Sequence, residues 1–167
     1  RVSHLPVVKG KFYLGLISED QVLSWENTSE YINEHLDELS APSVLDSQHL
    51  FDIIEELEKC SLTVIPVLDS KKHYLGVITN KKLLYCIAKS TAIQSSGGII
   101  ILQMNQIDYS MSEIARIIED NNSKILSSYI TSIIESQVIE ITIKLNTLNV
   151  SDIIKDFERF DYTVIRS

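Results

Sequence analysis

Cysteine is scarce, with Cys60 and Cys86 the two in 167 residues. That excludes a disulfide framework and a thiolate metal site, and both lie in helical patterns where a small apolar side chain is the ordinary role. The default setting is reducing, which makes the expected location cytoplasmic. Basic residues are outnumbered, 15 Lys and Arg against 23 Asp and Glu, for a net charge of −8. Nucleic acid and acidic membrane surfaces need a basic face, so neither is an expected partner. No apolar run approaches the roughly eighteen residues of a membrane-spanning helix, and no leader pattern is visible. The histidines His4, His35, His49 and His73 lie outside any metal-ligand spacing, so no metal is expected. A nucleophile elbow, a Walker loop and paired carboxylates are all missing, so no catalytic residue is assigned and an enzyme is not expected.

What the chain does have is a stretch that occurs twice. LTVIPVLDSKKHYLGVITNKKLL, Leu62 to Leu84, answers VSHLPVVKGKFYLGLISEDQVL, Val2 to Leu23. Pro6 matches Pro66, Gly15 matches Gly76, Ile17 matches Ile78, Ser18 matches Thr79 and Leu23 matches Leu84, with one residue inserted in the second turn. Each copy reads as a short buried strand with its proline at the start, a polar turn, a second strand and a helix. Ser18 and Thr79 begin the helices, and Ser18-x-x-Gln21 has the form of a capping box. One such unit cannot close its own core, so the pair is expected to fold together.

This doubled h-P-V-h, turn, h-G-h-I-[ST] pattern resembles the CBS domain, which works as a tandem pair (a Bateman module). The resemblance implies an α+β fold of βαββα-type repeats over 1–90, repeat one at about 1–40 and repeat two at about 41–90. Twenty-two residues lead from Val44 to Pro66, whereas five precede Pro6. Repeat one is therefore expected to lack its first strand and helix, an N-terminally incomplete copy. In repeat two, Val44-Leu45 supplies the short strand. Asp46 or Ser47 then caps a helix to about Lys59, with Leu50, Ile53, Ile54 and Leu57 on one stripe. Trp25 to Leu39 also reads as a helix, broken by Ser40-Ala41-Pro42-Ser43.

Lys89 to Gly98 has linker composition, which places a linker at 91–98 and a second domain at 99–167. There Ile99 to Met104 reads as a central strand, and Ser110 to Glu113 as a capping box opening a helix to about Asp120. Lys124 to Ile134 and Gln137 to Asn146 read as strands, the latter alternating apolar Ile139, Ile141, Ile143 and Leu145 with polar neighbours. Asn149 or Ser151 starts a second helix, and Tyr162 to Ile165 closes as a strand. This βαββαβ order is ferredoxin-like, and after a CBS pair it resembles an ACT domain. Acetoin-utilisation regulators of bacteria are similar in domain order. ACT domains often carry a glycine in the first strand-to-helix turn, whereas here the turn reads Asn105-Gln106-Ile107-Asp108-Tyr109.

The CBS resemblance implies a small ligand between the repeats: AMP, ADP, ATP or S-adenosylmethionine. Carried onto this sequence, the lining would be His4, Leu5, Pro6, Val44, Val64, Ile65 and Pro66 from the strands. Ser18, Gln21, Thr79, Lys81 and Lys82 would come from the helix starts. Nucleotide-binding members place an aspartate three residues after the hydroxyl, for the ribose. Those positions hold Gln21 and Lys82 here. Lys71, Lys72, Lys81 and Lys82 form the one basic concentration and would converge beside a helix start on an anion. The resemblance implies a non-enzymatic, ligand-sensing homodimer acting on an unidentified protein target. The alternative is a scaffold of the same fold, without nucleotide binding, that serves dimerisation.

Overall fold

The computed structural model describes residues 2–25, 31–132 and 137–166. The chain is mixed α+β and divides into two compact units, Arg1–Cys86 and Ile87–Ser167.

In the first unit, β1 (His4–Lys9) pairs antiparallel with β2 (Phe12–Ser18), which runs into α1 (Glu19–Ser24). A second hairpin, β4 (Val64–Leu68) and β5 (Tyr74–Thr79), runs into α3 (Asn80–Ser90). The registers coincide pair for pair. Leu5 faces Ile17 as Ile65 faces Ile78, Pro6 faces Leu16 as Pro66 faces Val77, and Val7 faces Gly15 as Val67 faces Gly76. Both ladders slip at the next step, between Val7 and Val8 and between Val67 and Leu68. The repeat in the sequence is therefore a repeat in three dimensions. The hairpins also meet: Phe12 bridges His73, and the Tyr74 N–H donates to the Lys11 carbonyl at 2.8 Å.

Both prolines lie inside their strands rather than at the start. Pro66 is tolerated because β3 (Val44–Leu45) pairs in parallel with β4 only at Val67 and Leu68, leaving no ladder acceptor opposite the proline. Burial differs between the copies. Val64, Ile65, Pro66 and Leu68 are buried in β4, as expected, whereas Leu5 in β1 is 61% exposed. The reason is cover: α2 (Leu50–Lys59) lays Ile53 and Leu57 into a core with Val64 and Ile65, and β1 has no such helix among the described residues. That core also takes Leu16, Val44, Leu62 and Leu83.

Three local expectations are corrected. The helix expected from Trp25 to Leu39 falls partly on residues 26–30, outside the described residues. The remainder forms two 3-10 turns, Ile32–Glu34 and Leu36–Glu38. Leu39 then turns extended, and the Leu16 N–H donates to the Ser40 carbonyl at 2.7 Å, a strand-like contact that a helix would forbid. Helix α2 starts at Leu50, not beside Asp46 or Ser47, because Gln48 and Leu45 close a turn on each other. His49 is the cap: its Nδ1 accepts the Phe51 N–H and the Asp52 carboxylate accepts the His49 N–H. The Ser110 cap is half a capping box. Its hydroxyl accepts the Glu113 N–H, but the Glu113 carboxylate accepts from the Tyr162 hydroxyl instead.

In the second unit, β6 (Ile99–Asn105), β7 (Ile125–Ser132), β8 (Val138–Leu145) and β9 (Thr163–Arg166) form one antiparallel sheet in the order β7-β8-β6-β9, with α4 (Met111–Asp120) after β6 and α5 (Ser151–Arg159) after β8. The end of the expected strand at residues 133–134 lies outside the described residues. The alternation in β8 buries Ile139, Ile141, Ile143 and Leu145 with Ile114, Ile117, Ile118, Ile153 and Phe157 of the helices. Between α3 and β6 the chain is held down: the Ser127 hydroxyl donates to the Thr91 carbonyl and the Lys144 ammonium to the Gly97 carbonyl.

Candidate functional site

Each copy of the repeat ends its second strand in a hydroxyl that caps the following helix. The Ser18 hydroxyl accepts the Gln21 N–H at 3.1 Å, and the Gln21 side-chain oxygen accepts the Ser18 N–H at 2.8 Å, the reciprocal box the sequence spells. Thr79 makes half of it, accepting the Lys82 N–H at 3.2 Å. The first residue of each helix is tied to the residue before the first strand. Glu19 N–H donates to the Ser3 carbonyl and Asn80 N–H to the Thr63 carbonyl. Ser3 and Thr63, equivalent residues, meet each other: the Ser3 N–H donates to the Thr63 hydroxyl oxygen at 3.0 Å. His4 Nδ1 lies 3.0 Å from that hydroxyl and accepts the Thr63 N–H at 3.3 Å, which fixes the ring proton on Nε2 in the neutral form.

Two clefts flank this seam, and Val2 lines both. The first, 310 Å³, is lined by Leu5, Ile17, Ser18, Glu19, Val22 and Leu23, and is mainly apolar. The second, 390 Å³, is lined by Thr63, Thr79, Asn80 and Lys81. It offers the Thr79 hydroxyl, the Asn80 amide and the Lys81 ammonium to an oxyanion, while the Thr63 hydroxyl proton is directed at His4 Nδ1.

Of the residues marked in the sequence, Leu5 and Ser18 line the first cleft, and Thr79 and Lys81 the second. His4 sits behind the seam on Thr63. Pro6 is half-buried opposite Leu16, and Val44, Val64, Ile65 and Pro66 are buried in the core. Gln21 is occupied, its amide also donating to the Glu38 carbonyl at 3.0 Å. Lys82 is exposed, with its ammonium 5.2 Å from the centre of the Tyr85 ring. The four lysines do not converge. Lys71 and Lys72 lie in the turn before β5, and Lys81 and Lys82 follow its far end; six residues of strand separate them by about 20 Å. Thr63 and Asn80 were missed. Their signal was the repeat itself, since Ser3 and Thr63 are hydroxyl residues at one position three before each proline.

Two carboxylates in this unit are held below their ordinary range. Glu38 is lowered chiefly by the His35 ring, 2.7 Å away, and then by the Trp25 indole N–H. Asp69 is lowered first by the His73 backbone N–H, and also by the His73 ring and the Lys71 N–H. Burial pushes the Cys60 thiol up, away from thiolate chemistry. Among the described residues, no group of three or more His, Cys, Asp or Glu could hold a metal.

The second unit has a cleft of its own, 390 Å³, lined by Gln103, Asn105, Asp108, Glu113, Asp161 and Tyr162 among others. Asn105 and Asp108 hydrogen-bond to each other, and the Tyr162 phenol, pushed up to about 12 by burial and then by Glu113, donates to that carboxylate at 3.1 Å. This acidic lining has no lysine or arginine to meet a ligand carboxylate.

Residues 37–89 match the CBS domain family, a span containing β3, α2, β4, β5 and most of α3. Among solved structures, the soluble part of a magnesium transporter is similar at 21% identity and a TM-score of 0.44. The match covers 53% of this chain and 34% of that one, so the chain spans about a third of it. A CBS domain pair/ACT domain protein from Thermotoga maritima is similar at 12% identity and a TM-score of 0.46, covering 52% of this chain and 71% of that one. A CBS domain protein from Shewanella oneidensis MR-1 is similar at 20% identity and a TM-score of 0.39, over 54% and 72%. No helix among the described residues is long and apolar enough to cross a membrane.

Proposed function

We propose that the chain is a non-enzymatic regulatory module that senses a small molecule between its two repeats. The observation that carries this is the doubled hairpin with matching register, which sets a cleft at each helix start. The CBS domain over residues 37–89 supports it, since CBS domains commonly serve as ligand sensors. On this reading the first hairpin is the partner repeat of a CBS pair, and the βαββαβ unit is an ACT-type domain. The ligand is an adenine nucleotide (AMP, ADP or ATP) or S-adenosylmethionine. The module acts in the cytoplasm as a homodimer, and binding biases the arrangement of domains or subunits by the difference in ligand affinity between states.

One observation favours a second reading, a scaffold without nucleotide binding. Gln21 and Lys82 stand where a ribose-binding carboxylate would, and Gln21 is consumed by its own helix cap and by Glu38. Thermal unfolding with each of the four compounds separates the readings. Ligand a hundredfold above its Kd stabilises by about 2.7 kcal/mol. A rise in Tm with one of them supports sensing, and no rise with any at millimolar concentration supports the scaffold.

A further inference from the structure

At the end of the hairpins away from the helix starts, four other lysines come together. Phe12 bridges His73 and the Tyr74 N–H donates to the Lys11 carbonyl at 2.8 Å, which sets the two hairpin turns side by side. Phe12 and His73 are equivalent residues of the two copies, as are Lys11 and Lys72. Lys9 ends β1 opposite Phe12, and Lys71 adjoins Lys72. All four lysines are exposed. Among the described residues none of them makes an ion pair, whereas Lys124 pairs with Glu119 and Lys155 with Asp152. Asp69, the acid in these turns, is already engaged by the Lys71 and His73 N–H groups and the His73 ring. Phe12 stands among the lysines 62% exposed, its ring edge-on to His73. The second turn also keeps a lysine where the backbone favours glycine: Lys72 holds φ +63°, as Gly10 holds φ +62° in the first turn. A side chain retained against that preference points to a use for its charge.

We infer that the joined turns are a docking surface for a short acidic segment of another protein, with an aromatic or aliphatic side chain of that segment seated on Phe12. The net charge is −8 with these lysines included, so the chain around the turns is acidic. A membrane or a nucleic acid spreads its charge well past the screening length of about 8 Å and meets those acids, whereas a few residues touch the turns alone. The turns lie a strand's length from Ser18 and Thr79, so this surface is separate from both clefts and independent of the sensing reading.

Fluorescence anisotropy of the whole chain with a labelled glutamate-rich peptide containing one phenylalanine tests this. Binding is expected to weaken at least about fivefold between about 50 and 300 mM salt. Lys11→Glu combined with Lys72→Glu weakens it at least about tenfold. Lys72→Gly weakens it about threefold yet leaves Tm equal or higher, which separates lost charge from lost fold. Lys155→Gln removes one charge in the second unit and stays within about twofold of the parent. No binding at about 50 mM salt, binding untouched by the turn substitutions, or tighter binding to phosphatidylserine vesicles or a DNA duplex than to the peptide would overturn the inference.

Discussion

Tyr13 stacks on Tyr74 with ring centres 6.5 Å apart and planes 20° from parallel, and the two are the same residue of the two copies. The Tyr13 hydroxyl donates to the Pro42 carbonyl at 2.9 Å, which ties the stack to the segment leading into β3. Burial, and then Tyr74, push the Tyr13 phenol well above the ordinary tyrosine range. A double-mutant cycle with Tyr13→Leu and Tyr74→Leu, read by urea unfolding of the first unit, should give a coupling of about 0.5–1.5 kcal/mol. Additivity within about 0.3 kcal/mol would mean that the stack does not join the repeats.

The equivalent glycines should respond differently to a methyl group. A Cβ on Gly15 would lie 2.6 Å from the Leu39 Cβ and 2.8 Å from the Ser40 carbonyl oxygen, while one on Gly76 meets nothing within 4 Å. Gly15→Ala should therefore cost about 2–3 kcal/mol by overpacking, and Gly76→Ala about 1 kcal/mol, from its backbone at φ +153°. Equal losses in chemical denaturation would show that Leu39 and Ser40 do not pack as described.

How much of this was legible depends on the kind of signal. The repeat gave both hairpins, because Pro, Gly and the hydroxyl recur at fixed spacing and each does one physical job. The period-two run in β8 gave its buried face for the same reason. Residues 31–39 misled because Leu36 and Leu39 mimic a helical stripe, while Leu39 and Ser40 are needed as an extended segment beside β2. The α2 start was hidden because His49 caps it, a residue outside the usual capping set. The cleft lining was half legible: Thr79 and Lys81 follow from the repeat, whereas Val64 and Ile65 point into the core. Strand alternation alone cannot tell a two-sided buried strand from one that faces a ligand.

The two cores should fail separately. Phe157 is fully buried against α4 and the sheet, and Ile65 is fully buried in the first unit. Phe157→Ala should destabilise the second unit by about 3–5 kcal/mol, and Ile65→Ala the first by about 2–5 kcal/mol. Amide exchange resolves which unit opens. Loss of protection across both units in either variant would contradict two separate cores.

The Tyr162 phenol supplies an alkaline transition. Burial and then Glu113 push its folded pKa up to about 12, above the 10.0 of an unperturbed tyrosine. The folded state thus holds the proton more tightly, so its stabilising effect is full below pH 10 and is lost as pH rises from 10 toward 12. Tyr162→Phe should lower stability at neutral pH by about 1 kcal/mol through the lost bond to Glu113 and show a shallower decline over that alkaline window. A decline as steep as the parent's would assign the transition to another group.

Backbone NMR with ATP addresses the proposed site most directly, because it reads position as well as binding. In a titration of labelled protein, the largest shifts are expected at the amides of the two helix-start clefts, Ser18 and Glu19 in the first and Thr63, Thr79, Asn80 and Lys81 in the second. Shifts centred on Gln103, Asp108 and Tyr162, or none at millimolar ATP, would contradict a nucleotide site at the helix starts of the repeats.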